Sequence, residues 1–405
     1  MKLTVGLDAL TPPLTGIGYY TLNLLQALQD CSDIELSGIS YHGLWSREQV
    51  EKALKQATQP TDEQSQKGAP TARWHRLRVA ARDVPAAYHA AKWWRSRKCG
   101  RVLESLDSQT IYHDPNFVGY PYNGKSVITV HDLSHIRFPE AHPPSRVAYL
   151  NRRLPSAIAK ASAIITDSEF VKRELLELGL EKDPSRIHVT YLGCETGFQP
   201  RDEAATLTCR ERLGLRWRGF VLSVGTLEPR KNLEGLLRAY QALPAELAKD
   251  FPLVLVGGGG WKGEGLKRLI ADVKPPHRVI VTGYLTRPDV QALMASAAVF
   301  AYPSLYEGFG LPVLEAMTSG TPVLTSNNTS LGEIASQAAL TVAPNEVEAI
   351  EQGLASLLRD ATLRDKLRAL GEQRACEFSW RRCAEQTLDV YRMVERDVAK
   401  GTHGG

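Results

Sequence analysis

The sequence predicts an α/β protein with two Rossmann-like, doubly wound domains that face each other across a cleft. Its 405 residues exceed what a single hydrophobic core usually organises, which indicates two domains. Short, almost continuously apolar strand patterns alternate with helical patterns in two successive series, as in parallel sheets covered on both faces. Glycine-containing turns follow many of these strands, at the edge where such sheets bind ligands.

The first series predicts a domain over residues 1–195. It opens with a strand in "KLTVGLDAL", a loop in "TPPLTGIG" and an amphipathic helix in "YYTLNLLQALQD". Ser168 stands directly before a later helical pattern and is predicted to cap it. The further predicted strands lie in "QTIYHDP", "KSVITVHDLS", "AIITDS" and "RIHVTYLG".

The second series predicts a domain over residues 196–375, which follows a linker in "CETGFQPRDEAA". Its helices include "NLEGLLRAYQAL", for which Asn232 is the predicted cap. Residues 376–400 predict one final amphipathic helix. The predicted strands of this domain lie in 220–226, 252–260, 278–284, 297–304 and 322–326.

The composition narrows the class of protein. Apolar residues make up 43% of the chain and charged residues 23%, as in soluble globular proteins, and a net charge of +4 is too small to indicate nucleic acid. Six cysteines without a CxxC pair indicate neither a zinc site nor a disulfide framework. The N-terminus lacks a signal-peptide pattern, and no run of about 18 apolar residues occurs. A cytoplasmic protein is predicted, either free or peripheral on the cytosolic face of the inner membrane.

The segment "LYEGFGLPVLEAMTSG" (305–320) places two glutamates around glycines and a proline. Pro312 suits the first position of a helix, because its missing N–H would be unpaired there, and Glu315 would then lie in the first turn. The backbone N–H groups from Phe309 to Val313 would be free to bind phosphate oxygens or sugar hydroxyls. The alternative is a structural turn in which Glu315 is a solvated charge.

Two adjacent cations, Arg230 and Lys231, follow the strand in 220–226 and precede a helix. An arginine fork and a lysine point charge at that position can neutralise a diphosphate. In the first domain, Gly16 and Gly18 lie in a turn where a backbone can approach a phosphate closely. The alternatives are a solvated basic turn and an ordinary glycine turn between a strand and a helix.

Together these segments make the chain resemble the retaining glycosyltransferases of family 4, which have the GT-B fold. The resemblance extends over almost the whole chain, and its most specific elements are the Glu-x7-Glu motif from Glu307 to Glu315 and "GTLEPRKN". Two further motifs, "HDLS…RFPE" and "TGIG", are most similar to enzymes that use GDP-mannose or a related GDP-sugar to build polysaccharides. Weaker support comes from "TDSEFVKRELL", "VTGYL" and "FSWRRCAEQTLDVY".

The resemblance implies that the first domain binds the acceptor and the second binds the nucleotide-sugar. Glu307 would hold hydroxyls of the transferred sugar, and Glu315 would accept hydrogen bonds from the ribose. Arg230 and Lys231 would bind the diphosphate and stabilise the departing nucleotide. The other implied donor-binding positions are Gly16, Gly18, Gly283, Tyr284, Leu285, Gly308, Phe309, Gly310 and Leu311.

His131 follows a first-domain strand, and the resemblance makes it a catalytic residue near the reacting sugar, beside Glu307, Arg230 and Lys231. The alternative for a lone histidine is a structural role. No DxD motif of the metal-binding transferases occurs, so the resemblance implies no metal ligands and no cofactor besides the nucleotide-sugar substrate. As in the fold's relatives, the helix of 376–400 would cross back onto the first domain.

Residues 73–101 hold nine Lys or Arg and a single acid, Asp83, with four aromatic residues between them. Basic residues with tryptophan are typical of a helix at an anionic membrane surface. The alternative is a solvated helix whose tryptophans belong to the core. Nucleic acid is not predicted, because no recognised binding module surrounds this stretch.

The predicted function is the retaining, metal-independent transfer of a hexose, mannose from GDP-mannose, onto a glycan or lipid-linked oligosaccharide in polysaccharide or O-antigen biosynthesis. The alternatives are a UDP-sugar or GDP-rhamnose donor, and a sugar-nucleotide epimerase or hydrolase on the same fold. A dehydrogenase is disfavoured because no strand is followed by GxGxxG. A noncatalytic sugar-binding protein is disfavoured because both glutamates and both cations are present.

Overall fold

The computed structural model describes residues 1–11, 14–29, 31, 33–58, 85–258 and 264–401. Two separate sheets confirm the predicted α/β fold with two Rossmann-like domains. The first sheet draws its strands from Lys2 to Val189 and the second from Val221 to Val342, while the domain limits themselves stay predictions. Of the described helices, none combines the length and the apolar character that crossing a bilayer requires.

Strands and helices alternate along the chain. The strands are β1 Lys2–Gly6, β2 Glu35–Ser40, β3 Gly43–Trp45, β4 Ile111–Asp114, β5 Ser126–Val130, β6 Ala163–Thr166, β7 Ile187–Val189, β8 Val221–Val224, β9 Leu253–Val256, β10 Val279–Gly283, β11 Val299–Tyr302, β12 Val323–Ser326 and β13 Leu340–Val342. The helices are α1 Gly16–Gln29, α2 Arg47–Thr58, α3 Pro85–Glu104, α4 Ser134–Arg137, α5 Pro144–Lys160, α6 Glu169–Glu177, α7 Leu207–Leu213, α8 Leu233–Ala242, α9 Ala245–Asp250, α10 Glu264–Ala271, α11 Arg287–Ser296, α12 Leu311–Thr318, α13 Thr329–Ala335, α14 Val347–Arg359, α15 Ala361–Ala375 and α16 Trp380–Gly401.

The first sheet has the strand order β3-β2-β1-β4-β5-β6-β7. All neighbouring pairs are parallel except β2 with β3. Strands β4, β5 and β6 are buried along their whole length, which agrees with the mostly apolar sequences of β5 and β6. Strand β2 and the edge strand β3 were not predicted, because "ELSGIS" and "GLW" contain glycine and polar residues instead of an apolar run.

The second sheet has the order β10-β9-β8-β11-β12-β13, and all of its pairs are parallel. The strand order reverses between β8 and β11, so a crevice opens beyond the carboxyl ends of these two strands. The turn that carries Arg230 and Lys231 follows β8, and the loop that carries Glu307 follows β11. The topology therefore brings the two predicted motifs to opposite sides of one crevice.

The C-terminal helix α16 packs against the first sheet, as the resemblance implied. Tyr391 is fully buried, and its hydroxyl lies 2.6 Å from Nδ1 of His113 on β4. Nε2 of the same histidine lies 2.8 Å from Oγ1 of Thr129 on β5. One continuous apolar cluster contains Tyr391 together with residues of both sheets. The crossover therefore connects the cores of the two domains.

The two predicted helix caps have different outcomes. Ser168 is confirmed as the cap of α6, because its hydroxyl accepts a hydrogen bond from the N–H of Val171. The prediction for Asn232 is wrong: this residue precedes α8, but its side-chain amide donates to the carbonyl oxygens of Pro303 (3.0 Å) and Pro344 (2.6 Å). Asn232 therefore ties the turn after β8 to the loop after β11.

Candidate active site

Glu307 is a buried carboxylate that accepts four side-chain hydrogen bonds. Its Oε2 lies 3.0 Å from Nη1 of Arg230, and its Oε1 lies 2.5 Å from Nζ of Lys231. The hydroxyls of Tyr302 and Ser304 also donate to Oε1, each at 2.8 Å. Burial alone would raise the pKa of Glu307, but the two cations outweigh it and lower the pKa to about 2. Glu307 is therefore ionised at every physiological pH.

Arg230 and Lys231 each have N–H groups left that can bind a further acceptor. Nζ of Lys231 also donates to the Tyr302 hydroxyl (2.6 Å), which leaves one of its three protons for another acceptor. Nε of Arg230 donates to Glu228 (3.0 Å) and Nη1 also donates to the backbone oxygen of Tyr306 (3.2 Å). Within the described chain, Nη2 of Arg230 has no acceptor. The sequence predicted that these cations face a phosphate, and it did not anticipate that they are also paired with Glu307.

The loop of residues 303–310, named here the donor loop, ends in an array of backbone N–H groups. Helix α12 begins at Leu311, after Gly310 in a left-handed conformation (φ 99°). Among the described residues, the N–H groups of Phe309, Gly310 and Leu311 have no protein acceptor. Val313 N–H was predicted to be free as well, and this is wrong because it donates to the Gly310 carbonyl at 2.9 Å. Three consecutive N–H groups at a helix start can bind anionic or hydroxyl oxygens.

Glu315 is the fifth residue of α12, so its predicted place in the first turn is wrong. The helix begins at Leu311 and therefore places Pro312 at its second position. Glu315 is buried, and its Oε1 lies 2.5 Å from Nη2 of Arg287. Burial raises the pKa of Glu315, while Arg287 opposes this shift. A buried, ion-paired carboxylate excludes the alternative of a solvated first-turn charge.

Arg287 was missed by the sequence analysis. It starts α11 and forms a fork with Glu195, Nη2–Oε1 2.9 Å and Nε–Oε2 3.1 Å, in addition to its bond with Glu315. Its guanidinium carbon lies 4.5 Å from the ring centre of Phe198 and 5.0 Å from that of Tyr19, which belongs to α1 of the first domain. Two features of the sequence could have indicated Arg287: it lies two residues after the predicted base pocket, and Glu315 needs a counter-ion if it is buried.

The predicted base pocket lies at the same edge of the second sheet. Gly283 ends β10 with φ 71°, and its carbonyl accepts a hydrogen bond from Gly257 N–H at 3.0 Å. Tyr284 is 82% exposed. Leu285 packs against the core beside it. A flat, exposed aromatic ring next to a buried core offers a surface on which a nucleobase can stack.

His131 lies directly after β5, with both ring nitrogens in use. Its Nδ1 is 2.7 Å from Oδ2 of Asp167 and its Nε2 is 2.8 Å from the carbonyl oxygen of Pro115. A carbonyl can only accept, so Nε2 carries a proton. Burial lowers the pKa of His131, but Asp167 and the Pro115 carbonyl outweigh it and raise the pKa above its ordinary value. His131 therefore has no free lone pair with which to deprotonate a substrate.

Gly16 and Gly18 lie in helix α1, so the predicted loop at these residues is wrong. A Cβ on Gly18 would lie 2.7 Å from the backbone oxygen of Ala9, so this glycine is required by packing against the turn before the helix. Gly16 is exposed, and a Cβ there would meet nothing within 4 Å. Their contact with a phosphate stays a prediction.

The donor loop also contacts the first domain. The Tyr306 hydroxyl donates to Glu174 of α6 at 2.5 Å and accepts from the N–H of Leu133 at 2.8 Å. The Ser168 hydroxyl donates to the Gly308 carbonyl at 2.7 Å. A Cβ on Gly308 would lie 1.8 Å from the backbone oxygen of His131, so only glycine allows this approach. The loop is thus held from both domains.

Comparison with known proteins gives two family matches along the chain. Residues 14–198 match "Glycosyltransferase Family 4", and residues 213–374 match "Glycosyl transferases group 1". The first match covers most of the first domain and the second covers the sheet that carries the donor loop.

Individual relatives agree with these matches. The O-antigen chain mannosyltransferase B of Escherichia coli is 35% identical over 394 residues, which are 97% of this chain and 100% of the relative. The serotype-specific mannosyltransferase WbdA of Escherichia coli is 32% identical over 278 residues, which are 66% of this chain and 33% of the relative. Among solved structures, Anabaena Alr3699/HepE in complex with UDP and glucose has a TM-score of 0.69 at 16% identity, over 97% of this chain and 100% of that chain.

Proposed function

Since the chain belongs to glycosyltransferase family 4, we propose that it transfers mannose from GDP-mannose onto a growing glycan in polysaccharide or O-antigen biosynthesis. Its activity as a glycosyltransferase follows from the family. The choice of mannose is supported by the mannosyltransferase that it resembles over its full length. The observation that carries the donor site is the juxtaposition of Arg230 and Lys231 with Glu307 beside the unpaired N–H groups of the donor loop.

The geometry suggests a role for each group of the donor site. The diphosphate would lie against the remaining donors of Arg230 and Lys231 and against the N–H groups at the start of α12. Oε1 of Glu307 already accepts three hydrogen bonds and Oε2 accepts one, so Oε2 has capacity left for a sugar hydroxyl. Glu315 would accept from the ribose, and residues 283–285 would line the base pocket.

The donor can be tested by thermal unfolding against GDP-, UDP- and ADP-sugars. A ligand at about 100 times its Kd adds about 2.7 kcal/mol of stability, so the true donor stands out from the others. We expect GDP-mannose to raise Tm most. Stabilisation by a UDP-sugar or GDP-rhamnose instead would overturn the choice of donor and leave glycosyl transfer intact.

We expect transfer to be independent of metal and to retain the anomeric configuration of the donor. Cations and helix-end N–H groups on the phosphate side suit the charge that develops as the glycosidic bond breaks. Inversion would need a general base on the opposite face, and both nitrogens of His131 are occupied. The departing phosphate would then deprotonate the acceptor on its own face.

Both properties can be read from one reaction mixture with excess EDTA. The rate should equal that without EDTA, and the one-bond coupling between C1 and H1 of the new mannoside should report an α-linked product from the α-linked donor. A β-linked product, or activity that is lost with EDTA and restored by Mg²⁺, would falsify this mechanism.

We propose a peripheral contact with anionic membrane through residues 73–101. Residues 73–84 lie outside the described chain, while residues 85–101 belong to helix α3. On this helix Trp94 is 63% exposed, and Arg97 and Lys98 are exposed as well. A large exposed indole can enter the headgroup layer of a membrane while the neighbouring cations face anionic lipid.

Reversal of Arg95, Arg97 and Lys98 to glutamate should abolish co-sedimentation with anionic vesicles at low salt. Each basic residue near such a surface contributes about 1 kcal/mol, so three reversals remove the attraction. The matched control reverses three exposed cations of the second domain, Arg238, Lys249 and Lys274, and should sediment like wild type. Wild-type protein that ignores anionic vesicles would favour the solvated-helix alternative.

A further inference from the structure

Asp132, Ser134 and His142 form a hydrogen-bonded chain beyond the carboxyl end of β5. Oδ1 of Asp132 accepts from both the N–H (2.9 Å) and the hydroxyl (2.6 Å) of Ser134. The same hydroxyl oxygen lies 2.8 Å from Nε2 of His142. These residues lie within and beside the "HDLSHIRFPE" segment, whose His131 was the only residue given a role by the sequence analysis.

The proton positions along this chain follow from the charge of Asp132. Burial opposes its ionisation, but Arg230 and the hydrogen bonds from Ser134 outweigh it, so the pKa of Asp132 is below its ordinary value. An ionised carboxylate only accepts, so the single hydroxyl proton of Ser134 goes to Asp132. The Ser134 oxygen must then accept from His142, and Nε2 carries the proton. In the neutral imidazole the free lone pair is therefore on Nδ1.

The hydrogen-bonded residues Asp132, Ser134 and His142 lie on the wall of the cleft that faces the donor loop. Asp132 directly follows His131, and a Cβ on Gly308 of the donor loop would lie 2.9 Å from the Cβ of Asp132. His142 is half-buried, and Arg230 and Glu228 of the second domain are close enough to act on its pKa. Among the described residues, Nδ1 of His142 has no hydrogen-bond partner. The lone pair of Nδ1 is thus left without a hydrogen-bond donor from the part of the chain that the structure describes.

We propose that His142 is an acceptor-binding residue, whose Nδ1 accepts a hydrogen bond from a hydroxyl group of the acceptor glycan other than the attacking one. Asp132 and Ser134 are the positioning residues that fix its tautomer. The proposed nucleotide-sugar site is built from second-domain groups. A first-domain nitrogen that can only accept therefore suits a hydroxyl group of the acceptor and disfavours the diphosphate. The inference requires glycosyl transfer, which the family establishes, and is independent of the identity of the donor.

The decisive variant is His142→Gln, compared with His142→Asn. The amide nitrogen of glutamine can occupy the place of Nε2 and keep the bond to Ser134, but nothing replaces Nδ1. Asparagine places its amide near Nδ1 and loses the bond to Ser134. With GDP-mannose and a fluorescent α-oligomannoside, His142→Gln should raise the KM for the acceptor about tenfold. The Kd of the nucleotide-sugar and its slow hydrolysis by water should equal those of wild type, and His142→Asn should recover part of the loss.

The pH profile separates this role from a structural one. The groups that face His142 are Asp132 through Ser134, His135 of α4, Arg146 of α5, and Arg230 and Glu228 across the cleft. Burial lowers the pKa of His135 to about 4, so His135 is neutral where His142 titrates. Burial, followed by Arg146, lowers the pKa of His142 below its ordinary value, so the ring is neutral at pH 7. As the pH falls through this lowered pKa, Nδ1 gains a proton and can no longer accept. The kcat/KM for the acceptor should therefore decline on the acid side in wild type, and this decline should be absent in His142→Gln.

The outcomes are distinguishable. An acceptor KM in His142→Gln equal to that of wild type would overturn the inference. A loss of nucleotide-sugar affinity as large as the loss of acceptor affinity would also overturn it, because His142 would then belong to the donor site. If His142→Gln does not fold, Ser134→Ala leaves both ring nitrogens in place, releases the tautomer and should raise the acceptor KM in the same direction. If wild type transfers nothing from GDP-mannose, the proposed donor fails, and the same comparison is made with the sugar nucleotide that raises Tm most.

Discussion

Replacement of Lys231 by alanine should lower kcat at least about tenfold, and Arg230→Ala should do the same. These cations act on negative charge that is present mainly as the nucleotide departs, so their loss affects the transition state more than the bound donor. Lys231 is buried and bonded to both Glu307 and Tyr302, so its ammonium is held in place before substrate arrives. Pre-positioned charge of this kind needs no reorganisation during the reaction.

The matched control is Arg238→Ala, which removes an exposed cation from α8 in the same domain. It should leave kcat unchanged, and unfolding by denaturant must show that all three variants are folded under the assay conditions. Because Lys231→Ala leaves Glu307 paired with Arg230 alone, this variant should also unfold at lower denaturant. A kcat within twofold of wild type in folded Lys231→Ala would contradict the assignment of charge stabilisation to this lysine.

Glu315→Ala should weaken the binding of free GDP at least about tenfold, with a smaller effect on kcat at saturating donor. Hydrogen bonds to a charged group contribute about 1.5–3 kcal/mol each, and the ribose can donate two. Calorimetry with GDP measures the loss directly. Glu348→Ala, which removes an exposed glutamate from α14, serves as the control.

Removal of Glu315 does not leave Arg287 unpaired, because its fork with Glu195 remains. The variant therefore tests the carboxylate without creating a lone buried charge. Unchanged GDP affinity in a folded Glu315→Ala protein would refute the ribose role. In that case Glu315 would serve only to hold Arg287 between the two domains.

Some features of the site could be predicted from local sequence and others could not. The chemistry of Glu307, Arg230 and Lys231 was visible because each stands beside a strand end. Their direct pairing was not, because it depends on how close the turns after β8 and β11 approach in space. Arg287 and Asp167 were missed for the same reason. Arg287 pairs with Glu315 and Asp167 pairs with His131, and each partner belongs to a distant segment.

The fold shows the same limit at particular elements. Buried parallel strands such as β5 and β11 can be predicted because their sequences are mostly or entirely apolar. Strand β13 was missed because "LTV" is only three residues long and partly exposed. The sequence predicts Gly18 in a phosphate-binding loop, because glycine allows a close approach of the backbone to a ligand. In the structure, glycine is needed at this position because the backbone oxygen of Ala9 leaves no room for a side chain.

The hydrogen bonds between the donor loop and the first domain oppose the opening of the cleft. Opening of the cleft must break the bonds of Tyr306 with Glu174 and Leu133 and that of Ser168 with Gly308. At about 0.5–1.5 kcal/mol for each of the two neutral bonds and about 1.5–3 kcal/mol for the bond to the Glu174 carboxylate, these three bonds favour the closed arrangement by about 2.5–6 kcal/mol. Because coupling is reciprocal, a donor that orders this loop also favours closure. We therefore expect occupancy by the sugar nucleotide to strengthen the preference for the closed arrangement, in which the acceptor subsite faces the donor loop.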